Sequence, residues 1–296
     1  MRTTIAALSL LGLLSTNAFA AEPWEDEIAT ALGKAGTEMP GGVYRVGLPR
    51  TDLKVTLDGI ELKPSFALGS WLAFTRHSGG SDVMVMGDLV LTDAEVNPVM
   101  ERLVESGIEI TALHNHLLRN TPHTMYMHVA GHGDPATLAA SLHDALARSK
   151  TPFAGAAPAA ATQDLSELDT AAIDRTLGRK GKVNGGVYAI SIPRAETPRD
   201  MGMEVPDAMG SAIAINFQPT GGGKAAITGD FVLTGNEVNP VLSALRSNGV
   251  EVTALHNHML ADEPRLFFVH FWANDEAAKL AHGLRAALDR VAVRKS

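Results

Sequence analysis

The sequence predicts an α+β fold, a tandem duplication of an α/β sandwich domain with the helices on one face of a mixed sheet. The first observation behind this is a repeat. Residues 87–116 align without gaps with residues 229–258, and 19 of the 30 aligned residues are identical, so the chain contains two copies of one domain. The second is the order of patterns in each copy, which is strand, helix, strand, hairpin strand and helix. A ferredoxin-like sandwich is one topology with this order.

The elements of copy one follow from hydrophobic periodicity and turn residues. We predict strands over residues 43–48, 66–75, 83–91, 108–116 and 125–130, and helices over residues 26–36, 98–105 and 135–147. Copy two begins with a helix over residues 168–178. The second helix is expected to start with Asn97 as N-cap and Pro98 in the first turn. Thr92 and Glu95 also fit a capping box, but that start would place Pro98 inside the helix, where proline is costly.

The N-terminus is typical of an exported protein. A short apolar run follows Arg2 and ends at Ala18-Phe19-Ala20, the pattern of a removable signal peptide. We therefore expect a periplasmic or secreted protein. The chain has no cysteine, so its stability depends on its cores rather than on disulfides. The predicted division is a signal peptide over residues 1–20, repeat domains over residues 24–150 and 166–292, and an Ala- and Pro-rich linker over residues 151–165.

Charge and hydropathy limit the classes of partner. The formal net charge is −8, and no large basic cluster is present, which argues against binding to nucleic acid or to an anionic membrane surface. No segment has the roughly 20 apolar residues that a membrane span needs. We expect a small molecule or a cell-envelope component as partner, and the sequence does not predict an oligomeric state.

Each copy carries His-Asn-His at the end of a strand and a further histidine in the next strand. Strict alternation along residues 108–116 places His114 and His116 on the apolar face, which we expect the helices to cover. A hairpin folded symmetrically about Thr121-Pro122 places His128 opposite His116. Imidazoles that share one face suit Zn²⁺ or another divalent metal. The predicted ligands are His114, His116 and His128 in copy one, and His256, His258 and His270 in copy two.

Several polar residues are expected near these histidines. A right-handed crossover would make the two strands around the second helix parallel and bring the histidines close to the start of that helix. Glu95 and Glu237 stand there as candidate general bases for metal-assisted hydrolysis. Further candidates are Asn97 and Asn239 as cofactor-binding residues, with helix capping as their alternative role, and Asp88 and Asp230, which can reach the same edge or bind the backbone in a β-bulge.

Three functional hypotheses remain open at this point. The first is a metal-binding protein with one histidine site in each copy. If such a protein is an enzyme, we expect it to be a metal-dependent hydrolase. The second is a non-catalytic module that binds a small ligand through histidine hydrogen bonds. The third is purely structural, with the histidines as a polar interface between the copies. Walker loops, dinucleotide fingerprints and Gly-x-Ser-x-Gly elbows are missing from the sequence.

The repeated block resembles a known family of exported bacterial proteins. The residues that carry the resemblance are Gly87-Asp88-Leu89-Val90-Leu91-Thr92, Glu95-Val96-Asn97-Pro98-Val99 and Thr111-Ala112-Leu113-His114-Asn115-His116. Together with Leu68-Gly69-Ser70-Trp71 they are similar to the LppY/LpqO family, over nearly all of the mature chain. The resemblance implies a domain of unknown function and assigns no residue a role. Copy two departs at Trp71, where Gly210-Ser211-Ala212-Ile213 stands, so the two copies need not be equivalent.

Overall fold

The computed structural model describes residues 23–76, 80–153 and 165–295. The predicted signal peptide and most of the predicted linker lie outside the described residues. The first half contains α1 (Pro23–Leu32), β1 (Thr37–Met39), β2 (Val43–Pro49), β3 (Thr56–Leu57), β4 (Ile60–Glu61), α2 (Pro64–Ala67), β5 (Gly69–Arg76), β6 (Val83–Thr92), α3 (Asp93–Glu105), β7 (Glu109–His114), β8 (Thr124–Gly133) and α4 (Pro135–Leu146).

The second half repeats this order. It contains α5 (Thr170–Leu177), β9 (Lys182–Asn184), β10 (Val187–Ile192), β11 (Arg199–Asp200), β12 (Met203–Glu204), β13 (Ile213–Gly221), β14 (Lys224–Thr234), α6 (Gly235–Ser247), β15 (Glu251–His256), β16 (Asp262–Glu263), β17 (Leu266–Glu276) and α7 (Ala277–Leu288), with a 3₁₀ turn at Asp207–Met209. The duplication predicted from the sequence is therefore confirmed as two similar α+β halves.

Each half is built on a six-stranded sheet in which every neighbouring pair is antiparallel. The strand orders are β1-β2-β5-β6-β8-β7 and β15-β17-β14-β13-β10-β9. The prediction of a mixed sheet is wrong, because β8 is inserted between β6 and β7 and pairs antiparallel with both. As expected from the crossover through α3, β6 and β7 run in the same direction, but they do not pair.

The helices cover only one face of each sheet, as predicted. In the first half, Leu89 and Leu91 of β6 and Met127 of β8 share a buried cluster with residues of α1, α3 and α4. Their neighbours along the strands, such as Val90 and Tyr126, belong to a different cluster, together with Ala226 and Trp272 of the second half. The two sheets therefore pack with their helix-free faces towards each other. We call this interface the seam.

The start of α3 differs from the prediction. The helix begins at Asp93 after a capping box, in which Thr92 and Glu95 exchange side-chain and backbone hydrogen bonds, and Pro98 lies inside the helix. Asn97 is therefore not an N-cap. The second half repeats the arrangement, with Thr234 and Glu237 as the box and Pro240 inside α6. The capping box and the burial of the apolar helix face together outweigh the hydrogen bond that proline cannot make.

A β-bulge changes the face that the histidines occupy. In the pairing of β7 with β8, Ile110 stands opposite Val129 but Ala112 stands opposite His128, so one extra residue, Thr111, lies between the two pairs. The same bulge separates Val252 from Ala254 in β15. Strict alternation fails at this point. His114 lies in the seam, and the expectation that the helices cover the histidines is wrong.

No helix among the described residues has both the length and the hydrophobicity that a bilayer span requires.

The glycines that precede Asp88 and Asp230 are explained by close strand packing. The regular pairing of β6 and β14 continues through these positions, so the alternative of a bulge there is wrong. A Cβ atom on Gly87 would lie 2.8 Å from the carbonyl oxygen of Trp71, and one on Gly229 would lie 1.9 Å from that of Ala214. Both contacts are with backbone, which cannot move without disturbing the sheet.

We expect Gly229→Ala to lower the free energy of unfolding by about 3 kcal/mol, at the upper end of the range for overpacking. Urea denaturation measures this loss. Gly47→Ala is the matched control, because a Cβ on that strand glycine meets no atom within 4 Å. Equal stabilities of the two variants would contradict the explanation.

Candidate metal centre between the two halves

The six predicted histidines form one cluster in the seam, to which both halves contribute. Their rings lie in three close pairs, each with one histidine from each half. The distances between ring centroids are 3.5 Å for His114 and His256, 3.7 Å for His116 and His270, and 3.7 Å for His128 and His258. The predicted copy-one set of His114, His116 and His128 does have its ligand atoms within 4.8 Å of one another, but it is not separate from copy two, because the histidines of both copies meet in one shared centre.

The potential ligand atoms in this centre form sets that are each compact enough to hold one metal ion. Three sets have all their ligand atoms within 4.8 Å of one another, and two of these sets cross the seam. The sets are His114 with His256, His258 and His270; His114 with His116 and His128; and His116 with Asp230 and His270. Four imidazoles, or imidazoles together with a carboxylate, form the usual ligand sets of Zn²⁺ and related metals.

Main-chain carbonyls hold several of the rings in one orientation. Nδ1 of His256 donates to the carbonyl oxygen of Asn257 at 2.9 Å, and Nδ1 of His270 donates to that of Gly229 at 3.1 Å. His128 makes the equivalent hydrogen bond to the backbone of Gly87. A donor at Nδ1 fixes the tautomer and leaves a lone pair on Nε2, which is how many metal-binding histidines are oriented.

The Nε2 nitrogens of these rings have no hydrogen-bond partner. Among the described residues, eleven buried side-chain nitrogen and oxygen atoms lack one, and nine of them belong to this centre. They include Nε2 of all six histidines. An unpartnered buried polar group costs about 1–3 kcal/mol. This concentration at one place fits residues that are arranged to bind a metal.

Five of the six imidazoles are held in the neutral form, which metal ligands require. Burial, followed by repulsion from neighbouring imidazoles, lowers the pKa of His128 to about 3 and that of His256 to about 4. The same causes lower the pKa values of His114, His116 and His258.

Two aspartates border the cluster at equivalent positions of the two halves. Asp88 lies 3.5 Å from Nε2 of His116 and 3.8 Å from Nε2 of His128. Asp230 lies 2.5 Å from Nδ1 of His270. Burial raises the pKa of Asp88 well above its usual value, and the charge of Asp230 adds to this. Burial alone would also raise the pKa of Asp230, but the neighbouring His270 holds it below its usual value.

The surroundings of the two aspartates differ. Trp71 stands opposite Asp88 in the pairing of β5 with β6, and the guanidinium of Arg45 stacks on Trp71 at 4.0 Å from the ring centroid. In the second half the residue opposite Asp230 is Ala214, and the position equivalent to Arg45 in β10 is Ala189. The side chain of Asp88 is 8% exposed and that of Asp230 is 24% exposed.

The asparagine of each His-Asn-His motif joins the two halves. Asn115 donates through Nδ2 to the carbonyl oxygen of Thr253, and Asn257 donates to that of Thr111. The bulged threonines reciprocate, because Thr111 donates through Oγ1 to the carbonyl oxygen of His258, and Thr253 to that of His116. Sequence reasoning missed these four residues. Their identity in both copies was the available signal.

Aromatic rings on the neighbouring strands support two of the histidines. Tyr126 stacks on His116 with centroids 3.5 Å apart, and Phe268 stacks on His258 at 3.3 Å. The register of β7 and β8 places Tyr126 opposite His114, and Ala112, not His116, opposite His128. The predicted pairing of His116 with His128 is therefore wrong in register, although both rings do lie in the seam.

The predicted catalytic and cofactor-binding residues lie elsewhere. Glu95 forms an ion pair with the buried Arg50, with Oε2 2.8 Å from Nη1, and Glu237 forms the same pair with Arg194 at 2.7 Å. These glutamates belong to α3 and α6, which lie on the helix-covered faces. The bulges direct the histidines to the opposite face, so the glutamates and the histidines are on different sides of each sheet. Asn97 and its counterpart Asn239 are exposed on the same helices.

The glutamates are poorly suited to accept protons. Burial alone would raise the pKa of Glu95, but hydrogen bonds from Arg50 and from the backbone of Thr92 and Lys150 hold it below its usual value. Glu237 has the equivalent partners and the same direction of shift.

We expect Glu95→Gln to lower the free energy of unfolding by about 3 kcal/mol, because it breaks a buried ion pair while Asp52 still accompanies Arg50. The metal content of the folded protein should not change. Chemical denaturation and elemental analysis measure the two quantities. A Glu95→Gln protein of normal stability that loses its metal would show that this carboxylate belongs to the centre.

The metal-free protein should lose stability in acid. Five of the six imidazoles have lowered pKa values, so below pH 6.5 the unfolded chain binds protons that the folded chain does not. Each such imidazole removes about 1.4 kcal/mol of stability per pH unit until its folded-state pKa is reached. Tm should therefore fall steeply as the pH is lowered from about 6.5 to about 4.5 in the presence of a chelator. A Tm that stays constant over this interval would contradict the burial of neutral histidines.

Comparison with known proteins places the chain in a family. Among solved structures it is similar to EtuB from Clostridium kluyveri, with 10% identity, 86% of this chain and 89% of that chain covered and a TM-score of 0.21. It is also similar to the trimeric bacterial microcompartment shell protein PduB, with 13% identity, 86% and 88% coverage and a TM-score of 0.21. No functionally curated protein matches the sequence. The profile described as Domain of Unknown Function (DUF1259) matches residues 26–148 and 171–290, and the chain belongs to this family, with one copy in each half.

Proposed function

We propose that this protein binds a divalent transition metal, such as Zn²⁺, in a centre that its two halves build together. The observation that carries the proposal is the set of six Nε2 atoms, all buried, without hydrogen-bond partners and directed into one seam. Neutral imidazole suits Zn²⁺, Cu²⁺, Fe²⁺ and Ni²⁺. We further propose an exported setting and the LppY/LpqO relationship, on the sequence patterns described above.

The spacing of the ligand atoms supports this proposal. Ligands about 2 Å from a tetrahedral Zn²⁺ lie roughly 3.4 Å from one another. The atoms of each set lie within 4.8 Å of one another. Small rotations of the side chains are then enough to bring them to coordination distance, and no backbone rearrangement is needed.

A purely structural interface is a weaker explanation of the same residues. An interface selected only for stability would pair its buried nitrogens, as Asn115 and Asn257 do across this seam. The histidines beside them leave their nitrogens without partners.

A hydrolytic role gains no support from the predicted bases. Glu95 and Glu237 are held by Arg50 and Arg194 on the opposite side of each sheet from the histidines. We therefore propose metal binding as the function and assign these two glutamates a structural role.

The test is elemental analysis of protein purified without a histidine tag and supplemented with Zn²⁺, Ni²⁺ or Cu²⁺. We expect at least one ion per chain and a rise in Tm with metal, because a ligand that binds only the folded state stabilises it. The variant His270→Ala should lose most of the metal. His282→Ala is the matched control, since His282 is exposed on α7 and lies outside the centre. Clearly substoichiometric metal in the wild-type protein would overturn the proposal.

A further inference from the structure

The centre contains more donors than one ion needs. Six imidazoles and two carboxylates meet in the seam, whereas a tetrahedral ion takes four ligands. The close ring pairs also divide the donors into two groups, which meet where Asp88 lies 3.5 Å from Nε2 of His116. His116 and His270 lie with Asp230, all within 4.8 Å, and His128 lies 3.7 Å from His258 between ring centroids and 3.8 Å from Asp88 through Nε2.

These two groups are related by the repeat itself. His116 corresponds to His258, His270 corresponds to His128, and Asp230 corresponds to Asp88. His114 and His256 stack on each other at 3.5 Å between the groups, so that each group can take one of them as a further ligand. We name the groups the Asp230 position and the Asp88 position after their carboxylates.

The two positions differ in charge. Arg45 is close enough to Asp88 for its charge to act on that carboxylate, whereas the equivalent residue in the second half is Ala189. A nearby guanidinium opposes the binding of a second cation, and it does so strongly where the surroundings are dry. The Asp230 position has no such cation among the residues equivalent to Arg45 and Trp71.

The two positions also differ in access. Trp71 stands opposite Asp88, and Gly210 of the second half packs closely on its ring, since a Cβ there would lie 3.1 Å from that ring. Arg45 completes this cover by donating to the carbonyl oxygen of Ala208. Around Asp230 only alanines stand at the equivalent positions, and its side chain is three times as exposed as that of Asp88, 24% against 8%.

We propose that the seam binds two metal ions in unequal positions, a tighter one that solvent can reach at the Asp230 position and a weaker, covered one at the Asp88 position. The inference rests on the proposed function, because it describes how that centre is filled. It assigns Asp88 as a ligand, Asp230 as the carboxylate that holds Nδ1 of His270 and so directs its Nε2 to the first ion, and Arg45 as the residue that weakens the second ion. The accessible ion is the one that keeps a coordination site for water or another small ligand.

The experiment is a titration of the chelator-treated full chain with Co²⁺ and with Zn²⁺. Calorimetry monitors binding of both metals, and visible absorption also monitors binding of Co²⁺. We expect two ions per chain in two separate steps. Asp230→Asn should weaken the first step and Asp88→Asn the second, each by about 10- to 100-fold. Azide added to the one-ion Co²⁺ form should change its spectrum, because the first ion has an accessible position.

Arg45→Met tests the origin of the inequality. Removal of the positive charge should strengthen the second step by about tenfold and leave the first step unchanged. Arg102→Met is the matched control, because Arg102 lies on the solvent side of α3, paired with Asp144. Circular dichroism and thermal unfolding verify that each variant is folded.

The outcomes separate the two proposals. Binding of no metal overturns the proposed function. One ion per chain, with equal effects of Asp88→Asn and Asp230→Asn, leaves the proposed function in place and overturns the two-ion inference. Two steps that Arg45→Met does not bring closer together also overturn it, because the assigned source of the inequality would then be absent.

Discussion

The β-bulges at Thr111 and Thr253 decide which face of each sheet receives the histidines. Before the bulge, Ile110 points towards the helices and packs against their core; after it, Ala112 and His114 point into the seam. Without the extra residue the imidazoles would enter an apolar core, where each would need a hydrogen-bond partner. The bulge threonines also bind across the seam through their side chains. One local irregularity therefore produces both the centre and part of the contact that holds it together.

Because each half leaves one sheet face uncovered by helices, the other half is what buries that face. Side chains of the first half also reach across to the second. Lys63 donates to the carbonyl oxygen of Gly186, and Arg45 donates to that of Ala208. The shared centre follows from this arrangement, since the Nε2 nitrogens can meet only when the two sheets are packed together. Folding of each half and assembly of the centre are thus linked.

Much of the fold was predictable from the sequence, because the repeat and the periodicity of the long strands are strong signals. The six histidines were also found in this way, since their duplication separated them from His282 and the other unpaired histidines. The ion pair of Glu95 with Arg50 was not predictable. The capping box of Glu95 looked weaker than an Asn-Pro helix start, and its partner Arg50 lies 45 residues earlier in the chain. A bulge leaves no mark in the alternation of a six-residue strand, so the face of the histidines required the structure.

The asymmetry at Arg45 and Trp71 has a consequence for the duplication. A homodimer of single copies would place the same side chains on both sides of its two-fold axis, since one gene specifies both subunits. In a covalently joined pair each member can change alone. Ala189 stands at the position equivalent to Arg45, and Ala214 at the position equivalent to Trp71, differences that no symmetric dimer could carry. Joining the copies in one chain thus allowed one half of a symmetric interface to become a cover while the other stayed open.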